Sequence, residues 1–348
     1  MADNFYRSQP PKAFWRQAVA APHIADWKDL WVPLDLKRTD RVATAGSCFA
    51  QHIGHNLKKR GAAYMDMEPA PPLFLSAADA RRFGYGVFSC RYGNIYTSRQ
   101  LLQLFEEAFG KRASLDVVWE NNGRFFDPLR PGLTPVGEES PEIVIAARAL
   151  HLKAVRRMFE TVDLFVFTMG LTEGWEDIVN GTILPAAPGT IAGTYDPSRH
   201  VLRNLRYSEV LKDMQSFWTE LRAVNPNARI LLTVSPVPLI ATGTDQHVLS
   251  ATTYSKSVLR AVAGDLAADH ADIFYFPSYE IISSAPARGM FFESDLRNVN
   301  EMGVKLVMQQ FFSGPLAKEF GTTQPEVENG VAAIDLVCDE SRITERLT

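Results

Sequence analysis

The stretch RVATAGSCFAQHIGHNLKKRG, residues 41–61, reads as a strand, a turn and a helix in immediate succession. Small and β-branched residues run to Ala45, Gly46 and Ser47 interrupt them, residues 48–59 carry apolar side chains at helical spacing, and Gly61 supplies a C-terminal stop. The same grammar recurs downstream. A helix over 147–160 leads into an apolar strand, 163–168, that ends at Gly170; the amphipathic segment 207–224 is closed by Asn225-Pro226-Asn227 before a strand at 229–234. A helix at 253–269, a strand at 272–276 and a helix at 300–312 complete the series. Alternating strands and helices predict an α/β fold: a single three-layer domain with a mainly parallel sheet and helices on both faces.

Two regions interrupt the alternation. Residues 69–140 hold the aromatic and glycine-rich FGYGVFSCRYGNIYTSRQ (83–100), a helix at 98–109 and the Pro/Gly-rich DPLRPGLTPVG (127–137); they read as an insertion after the second unit. Residues 176–206 read as a loop. The expected organisation is therefore an N-terminal extension (1–39), an α/β domain (40–312) and a polar C-terminal tail (313–348).

Composition bounds the function. Lys plus Arg total 36 against 40 Asp plus Glu, a net charge of -4, so nothing marks a nucleic-acid partner. The first thirty residues lack an apolar signal core, and the longest apolar stretch, 230–241, is short and broken by Pro236 and Pro238. A cytoplasmic protein with no membrane insertion is expected. Its three cysteines, Cys48, Cys90 and Cys338, are odd in number and far apart, which suits a reducing compartment.

Ligands of open α/β sheets bind beyond the carboxyl ends of the strands. That rule selects Gly46-Ser47-Cys48-Phe49-Ala50, Gly170-Leu171-Thr172-Glu173, 235–238 and the stretch from Phe276 to Asp295. A cysteine that opens a helix meets unpaired N–H groups and the positive end of the helix dipole, which favour thiolate and can hold an oxyanion. Cys48 is then either a nucleophile or a small residue filling a tight turn. No G-x-x-x-x-G-K-[ST] string follows the strand, Gly46 stands alone without the glycines of a dinucleotide loop, and Gly54 occupies the arginine position of a C-x5-R phosphatase. Acyl transfer survives these eliminations.

GSCFAQHI (46–53) resembles the signature of the GSCFA family, which is similar to the SGNH (GDSL-like) hydrolases and to carbohydrate O-acyltransferases. The likeness continues through YGNIYTSRQLLQLF (92–105), FTMGLTEGW (167–175), LTVSPVPLIAT (232–242), HVLSATTYSKSVLR (247–260) and YFPSYEI (275–281). It implies an SGNH/flavodoxin-like sheet and places the nucleophile at Cys48, with Ser47 the nearer alternative. Gly46 and Gly170 fall in substrate-binding blocks, and Thr172, beside Glu173, stands where those hydrolases carry an oxyanion-binding asparagine. Their Asp-x-x-His becomes Asp295-Leu296-Arg297-Asn298, so the histidine base is absent. His247 is the first candidate replacement and His52 the second, a structural role being the commoner one for a histidine in either place. His52 and His55 have the spacing of a metal pair but no third ligand, so no metal is expected. Lys256 reads as facing solvent or a helix end, with a Ser255–Lys256 dyad a remote option. Tyr92, Asn94, Tyr96 and Trp175 serve either as packing or as a sugar-binding wall.

Two functions follow from the resemblance. One is an ester hydrolase or O-acyltransferase acting on an acylated carbohydrate through a Cys48 thioester, with no bound cofactor and, for transfer, an acyl-CoA co-substrate. The other is a catalytically inactive saccharide- or partner-binding protein on the same fold.

Overall fold

The computed structural model describes residues 4–74, 76–113 and 117–321. The strands are β1 (Arg41–Gly46), β2 (Ala63–Tyr64), β3 (Trp119–Asn121), β4 (Arg124–Phe126), β5 (Leu164–Met169), β6 (Glu173–Asp177), β7 (Thr182–Leu184), β8 (His200–Asn204), β9 (Arg229–Val234) and β10 (Ile273–Phe276). The α-helices are α1 (Ala50–Lys59), α2 (Ala77–Arg82), α3 (Ser98–Ala108), α4 (Pro141–Thr161), α5 (Tyr207–Val224), α6 (Val248–Asp269), α7 (Ser278–Ser283), α8 (Glu301–Phe311) and α9 (Gly314–Phe320).

The central sheet has five parallel strands in the order β10-β9-β5-β1-β2. Strand side chains alternate between its faces. Ala43, Ala45, Phe165, Phe167, Ile230 and Leu232 face a layer that contains α3, α4, α5 and α6. Val42, Leu164, Val166 and Leu231 face α1, α7, α8 and α9. β5, LFVFTM, is buried along its whole length, as the middle strand of a covered parallel sheet must be. The chain is thus α/β with helices on both faces of a mainly parallel sheet.

Three local readings change. Residues 176–206 are not one loop: with Glu173–Asp177 they form a small antiparallel sheet, β7-β6-β8. Its strands are three to five residues long and mix charged with apolar residues, too short to show a period. α4 starts at Pro141, favoured at a first helical position, and α6 starts at Val248, five residues before the expected onset. At the termini, Trp31, Leu34 and Leu36 from the N-terminal segment, and Leu316 and Phe320 from α9, enter the α8-side core. The remaining tail, 322–348, and with it Cys338, lies outside the described residues. Among the described residues no helix is long and apolar enough to cross a membrane.

Candidate functional site

β1 and β5 are neighbours, but the first helix after β1 packs on one face of the sheet and the first after β5 on the other. Such a switch point leaves a crevice beyond the strand ends. Its floor is Gly46-Ser47-Cys48. Gly46 has φ +132°, and a Cβ there would lie 2.3 Å from the Thr168 carbonyl oxygen, so a side chain is sterically excluded. Ser47 N–H donates to Thr168 O (3.1 Å), and Ala50 N–H and Gln51 N–H fold back on Ser47 O (2.9 Å) and Cys48 O (3.1 Å), turning the chain into α1. No side chain caps that helix. Ser47 and Cys48 are each only 4% exposed, Cys48 is not in a disulfide, and Ser47 Oγ has no hydrogen-bond partner.

A strip of the insertion closes the crevice from above. Ile95 N–H donates to Gly46 O (2.9 Å), while Gly170 N–H and Leu171 N–H both donate to Tyr96 O (3.0 Å each). A Cβ on Gly170 would sit 3.2 Å from Ser47 Cβ and 3.2 Å from Tyr96 O, so glycine lets three chain segments meet there.

The remaining wall comes from α6. Lys256 Nζ donates to Gly170 O (2.7 Å), and Ser255 Oγ accepts from Thr172 N–H (3.0 Å). Lys256 is 1% exposed, which corrects the solvent-facing expectation. With the helix starting at Val248, Ala251, Ser255, Val258, Leu259 and Val262 line its inner side, and Lys256 lies among them. The same apolar spacing, phased from residue 248, is the sequence signal for this placement. Taking an ammonium out of water costs several kcal/mol, so a charged Lys256 beside Gly170 would be held there at considerable expense in stability.

The other candidates are placed as follows. Thr172 is fully buried and its hydroxyl donates to Asn204 Oδ1 (2.7 Å), which commits its proton away from an oxyanion. Glu173 accepts from Thr242 Oγ1 (2.7 Å) and Gly243 N–H (3.0 Å), pinning the loop before α6. Trp175 packs edge-on against Tyr195 in a small core of its own. Tyr92, 3% exposed, donates its hydroxyl to Thr44 O; Asn94 and Tyr96 are also buried. Asp295 and Asn298 form an exposed turn in which Asn298 N–H (2.9 Å) and Nδ2 (2.6 Å) donate to the Asp295 carboxylate. His247 is exposed and caps α6, its Nδ1 accepting from Leu249 N–H (3.2 Å).

His52 lies on the first turn of α1, 8% exposed, its ring edge-on to Phe49 and its Nε2 without a partner. Burial, reinforced by His55 and Arg81, pushes its pKa down to about 4. Below the ordinary value of 6.5 the unfolded chain therefore binds a proton that the folded one refuses, and stability falls as the pH drops from 6.5 towards 4, by about 3 kcal/mol at most. Urea unfolding at pH 7 and pH 4.5 is expected to show this loss, with a flatter pH slope in His52→Leu; equal slopes would remove His52 as the cause. Among the described residues no group of three His, Cys, Asp or Glu could hold a metal ion, and the His52–His55 pair gains no third ligand.

The model of one family, described as the GSCFA family, matches residues 41–311. No curated protein matches the chain. Among solved structures, one described as an acetyl esterase mutant with acetate ion is similar at a TM-score of 0.29 and 14% identity, covering 78% of this chain and 94% of that one. That likeness is too distant to bear on this chain's chemistry.

Proposed function

We propose that this chain, which belongs to the GSCFA family, is an ester hydrolase or O-acyltransferase whose nucleophile is Cys48. The observation that carries the reading is the convergence at the switch point: a cysteine on a glycine-dependent turn, the uncapped N-terminus of α1, and the buried Lys256 amine on the Gly170 loop. The positive end of the helix, and Lys256 in its charged form, favour a thiolate and the oxyanion that its attack creates. In the first step the Cys48 thiolate bonds the acyl carbon, the ester C–O bond breaks, and the departing alkoxide takes a proton from solvent water. In the second step water or an acceptor hydroxyl attacks the thioester and returns a proton to solvent, the C–S bond breaks, the acid or new ester leaves, and the thiolate is regenerated. An acylated carbohydrate is the substrate that the family resemblance implies, and transfer would draw on an acyl-CoA in the cytoplasm.

The tight crevice and the exposed Asp295–Asn298 turn, which presents no imidazole, favour the second reading: a binding protein that has lost catalysis. Intact mass after exposure to p-nitrophenyl acetate, and separately to acetyl-CoA, decides between them. A gain of one acetyl group on Cys48, labile to hydroxylamine and absent from Cys48→Ala, is the expected result. No adduct and no turnover between pH 6 and 9 would leave the binding protein.

A further inference from the structure

A second pocket lies outside the crevice, between the insertion, α3 and α4; it is partly open to solvent and has a cavity volume of about 40 Å³. Its polar wall is built from side chains that other bonds hold in place. His151, 2% exposed, lines it; its Nδ1 is 2.7 Å from Glu68 Oε2, which also accepts from Arg91 N–H (2.6 Å). Burial alone would raise the Glu68 pKa, but the hydrogen bond from His151, the Arg91 N–H and the charge of Arg130 hold it below the usual carboxylate range. Burial, with Arg130, lowers that of His151 against the pull of Glu68. The pair is therefore a carboxylate and a neutral imidazole. A carboxylate only accepts, so Nδ1 carries the proton and Nε2 the lone pair.

That Nε2 is buried and has no hydrogen-bond partner. The Tyr92 ring stands edge-on to the imidazole at 6.1 Å and is itself tethered through its hydroxyl, so the acceptor is fixed in direction. Opposite charge sits on the same wall. Burial would raise the Asp127 carboxyl, yet the Arg130 and Arg148 guanidiniums hold it well below the usual carboxylate range. Arg130 donates from Nε to Asp127 (2.9 Å) and from one terminal nitrogen to Arg91 O (3.0 Å), and a guanidinium has five N–H donors, so further donors remain. Ile95, Leu104, Leu152 and Ile183 make up the apolar part.

An oriented lone pair, spare guanidinium donors and apolar walls around a small, partly open pocket are the make-up of a site for a ligand of a few heavy atoms. A buried acceptor left unmade costs about 1–3 kcal/mol, which a hydroxyl group would recover. We infer that this cavity is a second ligand site, taking a small neutral polyol whose hydroxyl donates to His151 Nε2 and whose oxygens accept from Arg130. The inference does not depend on Cys48 acting as a nucleophile.

The test is NMR of the full chain with 15N-labelled histidine, titrated with glycerol. The His151 Nε2 resonance, assigned by its loss in His151→Phe, is expected to shift saturably. Leu104→Trp, which fills the cavity, or Leu152→Phe should that variant not fold, is expected to weaken binding at least about tenfold, the equivalent of one hydrogen bond. Shifts that never saturate, or binding unchanged in a folded cavity-filling variant, overturn the inference.

Discussion

Gly46→Ala is expected to destabilise the protein by more than about 4 kcal/mol, and so to leave little folded chain. Two independent effects act together. A side chain at φ +132° is strained whatever surrounds it, and its Cβ would lie 2.3 Å from Thr168 O and 2.7 Å from Thr168 N. Both obstacles are backbone atoms of β5, which pairs with β1 on one side and β9 on the other and cannot yield without breaking a ladder in the middle of the sheet. Urea unfolding followed by circular dichroism measures the effect. The control is Gly86→Ala, at another positive φ but with nothing within 4 Å, where only the strain of the backbone applies. Equal, small losses in the two variants would show that β5 accommodates the added methyl group and that the turn is not glycine-dependent.

Lys256→Met separates charge from packing at the crevice. Methionine keeps most of the aliphatic stem, and replacing a buried ammonium by an apolar side chain is often neutral or stabilising, so the variant is expected to fold. Its chemistry should differ. Lys256 Nζ holds Gly170 O, and the Cβ position of Gly170 is 3.2 Å from Ser47 Cβ, one residue before Cys48. An ammonium near a thiol favours its thiolate form. Removing it is expected to slow alkylation of Cys48 by iodoacetamide at pH 7 more than about tenfold and to move the pH profile upwards. Cys90 is the internal reference, since burial pushes its thiol up. A folded variant with an unchanged Cys48 profile would assign Lys256 to fixing the Gly170 loop alone.

Much of the frame was legible at residues 41–61, because a strand buried on both faces, a glycine turn and an amphipathic helix each leave a local pattern. The order of the strands, and with it the pairing of Gly46 with Thr168, depends on long-range crossovers that the alternation alone does not fix. What escaped depends on phase and on distant pairing. Reading α6 from residue 253 instead of Val248 lost the turn that carries His247 to the surface and Lys256 inward. β6, β7 and β8 exist through pairing with one another, and no single one of them is long enough to declare itself. The Glu68–His151 pair joins positions 83 apart in sequence, with no motif to connect them.

The crevice has a history as well as a shape. Its floor, cover and charged wall come from β1, from the 92–97 strip and from α6, and the bond from Lys256 to Gly170 alone spans 86 positions. Contacts of such sequence separation form only after long loops have closed, and each closure is opposed by chain entropy until the contacts that reward it exist. The crevice therefore joins contacts whose formation is among the most costly of the fold in chain entropy, and its integrity depends on the rest of the sheet and the insertion being in place.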